Sequence, residues 1–168
     1  MWISCALLAI TSLLQASAPT GTVAPHEKKV DLIVIEKSAH ALTLMSKGNA
    51  LKTYHVALST VPEGAKEQFG DHKVPEGKYT IDEKKPASQF HLALHVSYPN
   101  GADRARAKKM SVDPGGEIEI HGLAKKYAWL GSMHRQTDWT DGCIAVTNAE
   151  IEEIYPLVAV GTAVEIRP

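Results

Sequence analysis

Short runs of β-branched and apolar residues recur along the chain, and turn-forming residues separate them. Residues 30–35 and 51–58 are such runs, and residues 90–98 alternate between apolar side chains and more polar or smaller ones. A period of two predicts a half-buried strand over 90–98, while the short β-branched runs predict further strands. The first runs, with a Lys-Gly-Asn turn at 47–49, predict a meander of hairpins.

Helical patterns are few. Thr147-x-x-Glu150 matches a capping box, and the apolar residues that follow have helical spacing, which predicts a short helix from near Ala149. Pro156 is expected to kink or shorten this helix. The basic stretch 102–110 is interpreted as a short helix or an exposed loop. The sequence therefore predicts a mainly β domain, a sandwich or open barrel with one or two short helices.

The N-terminus differs in composition from the rest. Residues 2–18 carry no charge and end in Ala16-Ser17-Ala18, which predicts a signal peptide over 1–18 or, if it is not cleaved, an N-terminal membrane anchor. Residues 19–28 are interpreted as a linker and 29–168 as the folded domain. Export to the periplasm or cell envelope follows, with membrane contact only if the leader remains.

Composition limits the function further. The chain has 168 residues, 44% of them hydrophobic, with a net charge of −1, so we expect one monomeric domain and no nucleic-acid partner. Two cysteines, Cys5 and Cys143, are too few for a disulfide-stapled miniprotein or a four-thiolate zinc site. If the leader is removed, Cys143 is the single thiol, and it is either a buried structural cysteine or a nucleophile.

The segment from 120 to 148 carries the candidate chemistry. A cysteine nucleophile needs a base and donors for the developing oxyanion. Gly142 precedes Cys143 and leaves room for a substrate carbonyl to approach the backbone amides. His121, at the end of a predicted strand, is one candidate base, and His134 on the connecting loop is its rival.

Ile120-His121-Gly122 followed by Thr140-x-Gly142-Cys143-Ile144 resembles the signature of YkuD-type L,D-transpeptidases. The segment from Gly70 to Ile81 also resembles the family. The resemblance covers about 30–166. It implies a β-rich catalytic domain in the cell envelope that acts on peptidoglycan stem peptides, with neither metal nor cofactor.

The resemblance also implies residue roles. Cys143 would be the nucleophile that forms a thioester with release of D-alanine, and His121 the general base and acid. The amides of Gly142 and Cys143 would form the oxyanion hole, and the Thr140 hydroxyl would brace the loop that also contains Asp141. Gly122 follows the histidine in the motif. Acylation of Cys143 by carbapenems is a further expectation.

The sequence departs from the family pattern in two positions near the cysteine. Ala145 replaces a common arginine that would suit a substrate carboxylate, and Asp141 replaces a common histidine. Asp141 would oppose thiolate formation unless it stabilises an imidazolium. Arg135 is one candidate to replace the missing arginine.

Further candidates for substrate binding lie on the connection between the two motifs. These are His134, Trp129 and Trp139.

The predicted function is a cysteine L,D-transpeptidase that crosslinks stem peptides. The same acyl-enzyme attacked by water would instead give an L,D-carboxypeptidase or an amidase. A non-catalytic envelope-binding domain with a buried thiol is the alternative from a different class.

Overall fold

The computed structural model describes residues 29–168, in which strands are the main regular structure. In chain order the strands are β1 (Leu32–Glu36), β2 (Ala41–Ser46), β3 (Asn49–His55), β4 (Gly77–Ser88), β5 (His91–Val96), β6 (Glu119–His121), β7 (Ile144–Ala145) and β8 (Ala163–Arg167). They form one curled sheet in the order β3-β2-β1-β8-β4-β5-β6-β7. The predicted mainly β class and the opening β-meander are confirmed.

The long strand β4 joins the two halves of the sheet. Its first residues, from Gly77 to Thr80, pair with β8, and the residues from Ile81 onward pair with β5. β1 and β8 are parallel, β6 and β7 are parallel, and the other neighbours are antiparallel. The strands β5, β6 and β7 therefore lie together at one end of the sheet, opposite the meander.

Two α-helices pack around this sheet, α1 (Gly101–Met110) and α2 (Asn148–Leu157). The stretch 102–110, for which helix and loop were both open, is helical. Asn100 caps α1: its side-chain oxygen accepts from the Ala102 and Asp103 amides at 2.8 and 3.1 Å. The connection from His121 to Cys143, expected to be a long loop, contains a 3₁₀ segment (Lys125–Gln136) interrupted at Gly131. The sequence of this segment lacks the apolar periodicity that would predict a helix, so the 3₁₀ turns were not expected.

The predicted capping box of α2 is present. The Thr147 hydroxyl accepts from the Glu150 amide at 3.2 Å, and the Glu150 carboxylate accepts from the Thr147 amide at 2.9 Å. Pro156 lies in the last turn, and the helix ends one residue later, as expected for a residue that cannot continue the hydrogen-bond ladder. Lys84 of β4 donates to the carbonyls of Tyr155 and Val158 at this end.

The core lies between the curled sheet and α2. Ile151 and Ile154 of α2 are fully buried and join a cluster of apolar side chains from the strands. On β5, Leu94 and Val96 belong to this cluster, as the alternation predicted, but Ala93 on the other face is buried as well. At this position both faces of the sheet are therefore shielded from solvent.

The predicted leader (1–18) and linker (19–28) lie outside the described residues. Within residues 29–168, the helices are all too short or too polar to cross a lipid bilayer.

Candidate active site

Two neighbouring strands place His121 and Cys143 close together. β6 ends at His121, and Cys143 immediately precedes β7. The parallel register pairs His121 with Ala145, so Cys143 lies near the adjacent strand. On its other side, β7 exchanges two hydrogen bonds of 2.9 Å with Ala57. Because Ala145 is fully buried and paired on both sides, it anchors the short strand that directly follows the cysteine.

The loop before Cys143 is held by hydrogen bonds at both ends. The Thr140 hydroxyl donates to the Cys143 carbonyl at 2.7 Å, so it braces the turn around the thiol. The amides of Trp139 and Thr140 donate to the Leu58 carbonyl at 3.1 and 3.0 Å. In return, the Leu58 amide donates to the Asp138 carboxylate at 2.7 Å.

Two glycines permit close approaches of the backbone here. Gly142 has φ +119, and a β-carbon on it would lie 3.0 Å from the Lys73 carbonyl oxygen. A β-carbon on Gly122 would lie 2.6 Å from the Asn148 side-chain oxygen. Within residues 29–168, the amides of Gly142 and Cys143 donate no hydrogen bond. They are therefore free to donate to a ligand.

His121 and Cys143 line the same cavity, of about 690 Å³. Of the other residues named from the sequence, Thr140, Asp141 and Trp139 line it as well. Residues to which the sequence assigned no role also contribute, namely Lys66, Phe69, Gly70, Lys85, Ser88, Gln89, Phe90, Gly116, Glu117 and Glu119. The cavity is therefore a strongly charged site around one thiol and one imidazole.

The surroundings of His121 fix its tautomer. Its side chain is 1% exposed, stacks on Phe90 with ring centroids 4.3 Å apart and meets the edge of Trp139. Nδ1 lies 2.7 Å from the Gly122 carbonyl oxygen, which can only accept, so Nδ1 carries the proton. Burial lowers the pKa of His121. The ring is therefore neutral, with Nε2 as its proton acceptor.

The Cys143 thiol is partly exposed and donates to the Glu117 carbonyl, with Sγ 3.4 Å from the oxygen. Burial, together with the carboxylates of Glu119, Asp141 and Glu117, raises the pKa of Cys143 to about 11. The free protein therefore holds a neutral thiol that points to a carbonyl and not to His121. Transfer of the thiol proton to His121 would require the thiol to leave this carbonyl, and catalytic contacts often tighten only when substrate binds.

Asp141 does not act on an imidazolium at His121. Its carboxylate is hydrogen-bonded to the His72 ring, and its charge contributes to the raised pKa of Cys143. Asp141 therefore opposes thiolate formation, as expected, while its imidazole partner is His72.

Three of the residues proposed for substrate binding lie away from the cysteine cavity. His134 is 6% exposed and accepts a hydrogen bond from the Trp139 indole, Arg135 forms an ion pair with Glu150, and Trp129 is 73% exposed. His134 lines a second, largely apolar cavity of about 410 Å³, which Phe90 and Trp139 also border. Of this set, Trp139 alone lines the cavity that contains Cys143.

The missed acidic residues did leave a signal in the sequence. Glu117, Glu119 and His121 alternate with apolar residues, and a period of two places all three side chains on one face. Lys85 left no such local signal. Within residues 29–168, no group of three or more histidine, cysteine and carboxylate side chains is arranged to hold a metal ion.

Comparison with known proteins identifies the fold. The family model described as "YkuD: L,D-transpeptidase catalytic domain" matches residues 30–166. This chain belongs to that family. The YkuD domain is 30% identical over 110 residues to YafK of Escherichia coli (strain K12), a protein assigned only provisionally to the L,D-transpeptidases. The match covers 64% of this chain and 37% of YafK.

Solved structures share the fold of this YkuD domain. The helical cell shape determining protein Pgp2 from Campylobacter jejuni has a TM-score of 0.64 at 24% identity, covering 82% of this chain and 47% of Pgp2. An L,D-transpeptidase from Mycobacterium smegmatis has a TM-score of 0.54 at 16% identity, covering 82% of this chain and 58% of that chain. The YkuD domain thus spans about half the length, or less, of two of these relatives.

Proposed function

We propose that this YkuD domain is a cysteine L,D-transpeptidase that crosslinks peptidoglycan stem peptides through a thioester on Cys143. The observation that carries the proposal is the shared cavity, in which the thiol of Cys143 lies with a buried imidazole whose Nε2 is free to accept a proton. Membership of the family supports a substrate from peptidoglycan.

The first half of the reaction forms the acyl-enzyme. Sγ of Cys143 attacks the carbonyl that joins the third stem residue to D-alanine, and the thiol proton passes to Nε2 of His121. The amides of Gly142 and Cys143 receive the oxyanion. The C–N bond then breaks, His121 returns the proton to the leaving amine, and D-alanine departs.

The second half transfers the acyl group. The amine of a second stem attacks the thioester carbonyl and loses a proton to Nε2 of His121. The C–S bond breaks, and the thiolate of Cys143 takes that proton back. Because thiol and imidazole are both neutral at rest, proton transfer accompanies attack and no preformed ion pair is required.

Purified protein incubated with tetrapeptide muropeptides and analysed by mass spectrometry tests this function. Crosslinked dimers with loss of D-alanine are expected. Tripeptides alone would identify a hydrolase that passes the same acyl group to water, and unchanged substrate would favour a binding domain. The Cys143→Ala variant is the control and should give neither product. Carbapenems should add one covalent mass to Cys143.

The site of action follows from the substrate. We propose that the protein is exported to the periplasm or cell envelope by residues 1–18 and that it acts as a monomer. Fractionation of cells, with N-terminal sequencing of the mature protein, tests export and cleavage together.

A further inference from the structure

Lys85 lies on the same face of the sheet as the candidate catalytic residues. Lys85 of β4 is directly opposite Ala93 of β5, which in turn is opposite His121 of β6. Directly opposed residues project to the same face, and two strand spacings separate the Cα atoms of Lys85 and His121 by about 10 Å. The lysine side chain extends from there into the wall of the cavity that contains Cys143.

The two partners of Lys85 differ in how firmly they are held. Nζ lies 2.7 Å from the Glu119 carboxylate, whose side chain is 10% exposed, and 3.1 Å from the Glu117 carboxylate, whose side chain is 83% exposed. Both carboxylates raise the pKa of Lys85, so it is charged at neutral pH. Glu119 therefore orients the ammonium, while the exposed pair with Glu117 is weak and exchangeable.

The other cations considered within residues 29–168 are not placed to bind a ligand in this cavity. Lys66, the second cation that lines it, is buried and donates to the Asp71 carboxylate and the Gln68 carbonyl at 2.8 and 3.0 Å. Arg135 forms its ion pair with Glu150 elsewhere. Ala145, at the position where the family resemblance leads us to expect an arginine, is fully buried and uncharged. Among residues 29–168, Lys85 is thus the exchangeable positive charge that lines the cavity.

We propose that Lys85 binds a carboxylate of the donor stem peptide, which displaces Glu117 while Glu119 keeps the ammonium in position. Lys85 would thus supply from β4 a positive charge that residues 140–145 around the cysteine do not provide. The identity of the ligand rests on the proposed function. Two carboxylates of the stem flank the bond that breaks, the C-terminal one of D-alanine and the one on the side chain of a diamino acid such as diaminopimelate.

Alkylation of Cys143 tests the anion site without any turnover. Iodoacetate and iodoacetamide differ in charge but react at the same sulfur, and mass spectrometry of the Cys143 peptide gives the ratio of their rates. Lys85→Met should lower the iodoacetate-to-iodoacetamide ratio by about tenfold, whereas Lys85→Arg should preserve it. Lys78→Met, an exposed lysine on the same strand, is the matched control. An unchanged ratio in Lys85→Met overturns the proposal.

The Lys85→Met variant leaves the Glu119 carboxylate without its partner, which could unfold the protein. The double variant Lys85→Met with Glu119→Gln removes that unpaired carboxylate. Its iodoacetate-to-iodoacetamide ratio should also fall by about tenfold. Circular dichroism melts of each protein establish that the ratios refer to folded chains.

Stem peptides then identify the carboxylate. Tetrapeptides amidated at the C-terminus, or at the side-chain carboxylate of the third residue, are compared with the unmodified tetrapeptide. For the wild type, one of the two amidated tetrapeptides should have a kcat/KM about tenfold below that of the unmodified tetrapeptide. Lys85→Met should have similar kcat/KM values for that amidated tetrapeptide and the unmodified one. Persistent discrimination in Lys85→Met refutes the role of Lys85. Absence of turnover in every protein refutes the proposed function instead, because the alkylation ratio is measured independently.

Discussion

His121 and His134 are two buried histidines that touch the same tryptophan, yet their rings are in opposite tautomers. Nδ1 of His121 donates to the Gly122 carbonyl, which leaves Nε2 as an acceptor. Nδ1 of His134 accepts from the Trp139 indole at 3.3 Å, which puts the proton on Nε2. In the described part of the chain, that Nε2 is buried without a partner.

The difference shows that burial and a low pKa do not identify a base. Burial lowers the pKa of both rings, and burial together with the nearby Arg135 lowers that of His134 to about 4. What distinguishes them is the group that faces Nδ1, a carbonyl in one case and an indole N–H in the other. Residue type and spacing left the two histidines as rivals, and only one of them shares a cavity with Cys143.

The strongest test of this comparison exchanges each histidine for asparagine. His121→Asn should reduce kcat/KM on tetrapeptides by about 10²–10⁴-fold, because the proton acceptor is lost. The kcat/KM of His134→Asn should stay within about tenfold of the wild-type value, since the His134 ring lies outside the cysteine cavity. Comparable losses in the two variants would contradict the assignment, provided that melts show both to be folded.

The pH dependence of thiol reactivity tests whether either histidine activates Cys143 at rest. With a thiol pKa of about 11, alkylation of Cys143 by iodoacetamide should rise about tenfold per pH unit from pH 7 to 10. His121→Asn and His134→Asn should leave this profile unchanged, whereas Glu119→Gln should move it to lower pH. A plateau below pH 8 that His121→Asn abolishes would instead indicate a preformed thiolate–imidazolium pair.

Acid stability should reveal the buried neutral ring of His134. Its pKa is about 4 when folded and 6.5 in its ordinary range, so the unfolded chain binds the proton first between these values. The contribution of the neutral His134 ring to the free energy of unfolding is fully present above pH 6.5. It is lost as the pH falls towards 4, by up to about 3 kcal/mol. Urea unfolding between pH 7.5 and 4 measures the loss, which should be smaller in His134→Asn. An identical pH slope in the variant would contradict this pKa.

The smallest expected effect comes from the shared tryptophan. Trp139→Phe removes the indole N–H that sets the tautomer of His134 and should cost about 1 kcal/mol of stability. Nitrogen-15 NMR should show a changed tautomer at His134 and an unchanged one at His121, which the Gly122 carbonyl continues to hold. A change at His121 alone would mean that the tryptophan, and not the carbonyl, orients that ring.

Local sequence patterns predicted those features of the fold and the site that depend on residues close together in the chain. The capping box of Thr147 and Glu150, the alternation over 90–98 and the motifs around His121 and Cys143 are all contained in short segments. Such local patterns do not place groups whose positions depend on long-range pairing. Lys85 reaches the cavity through the register of three strands, and the partner of Asp141 is His72, 69 residues away.

The enclosure of Ala145 limits how the charge of this site could change through mutation. An arginine at that position would have to bury a guanidinium inside a strand that is paired on both sides, and an unpaired buried charge is strongly destabilising. A mutational path from this arrangement to one with arginine after Cys143-Ile144 would therefore need compensating changes around this position. The single substitution Ala145→Arg is expected to destabilise the domain rather than to give a new specificity.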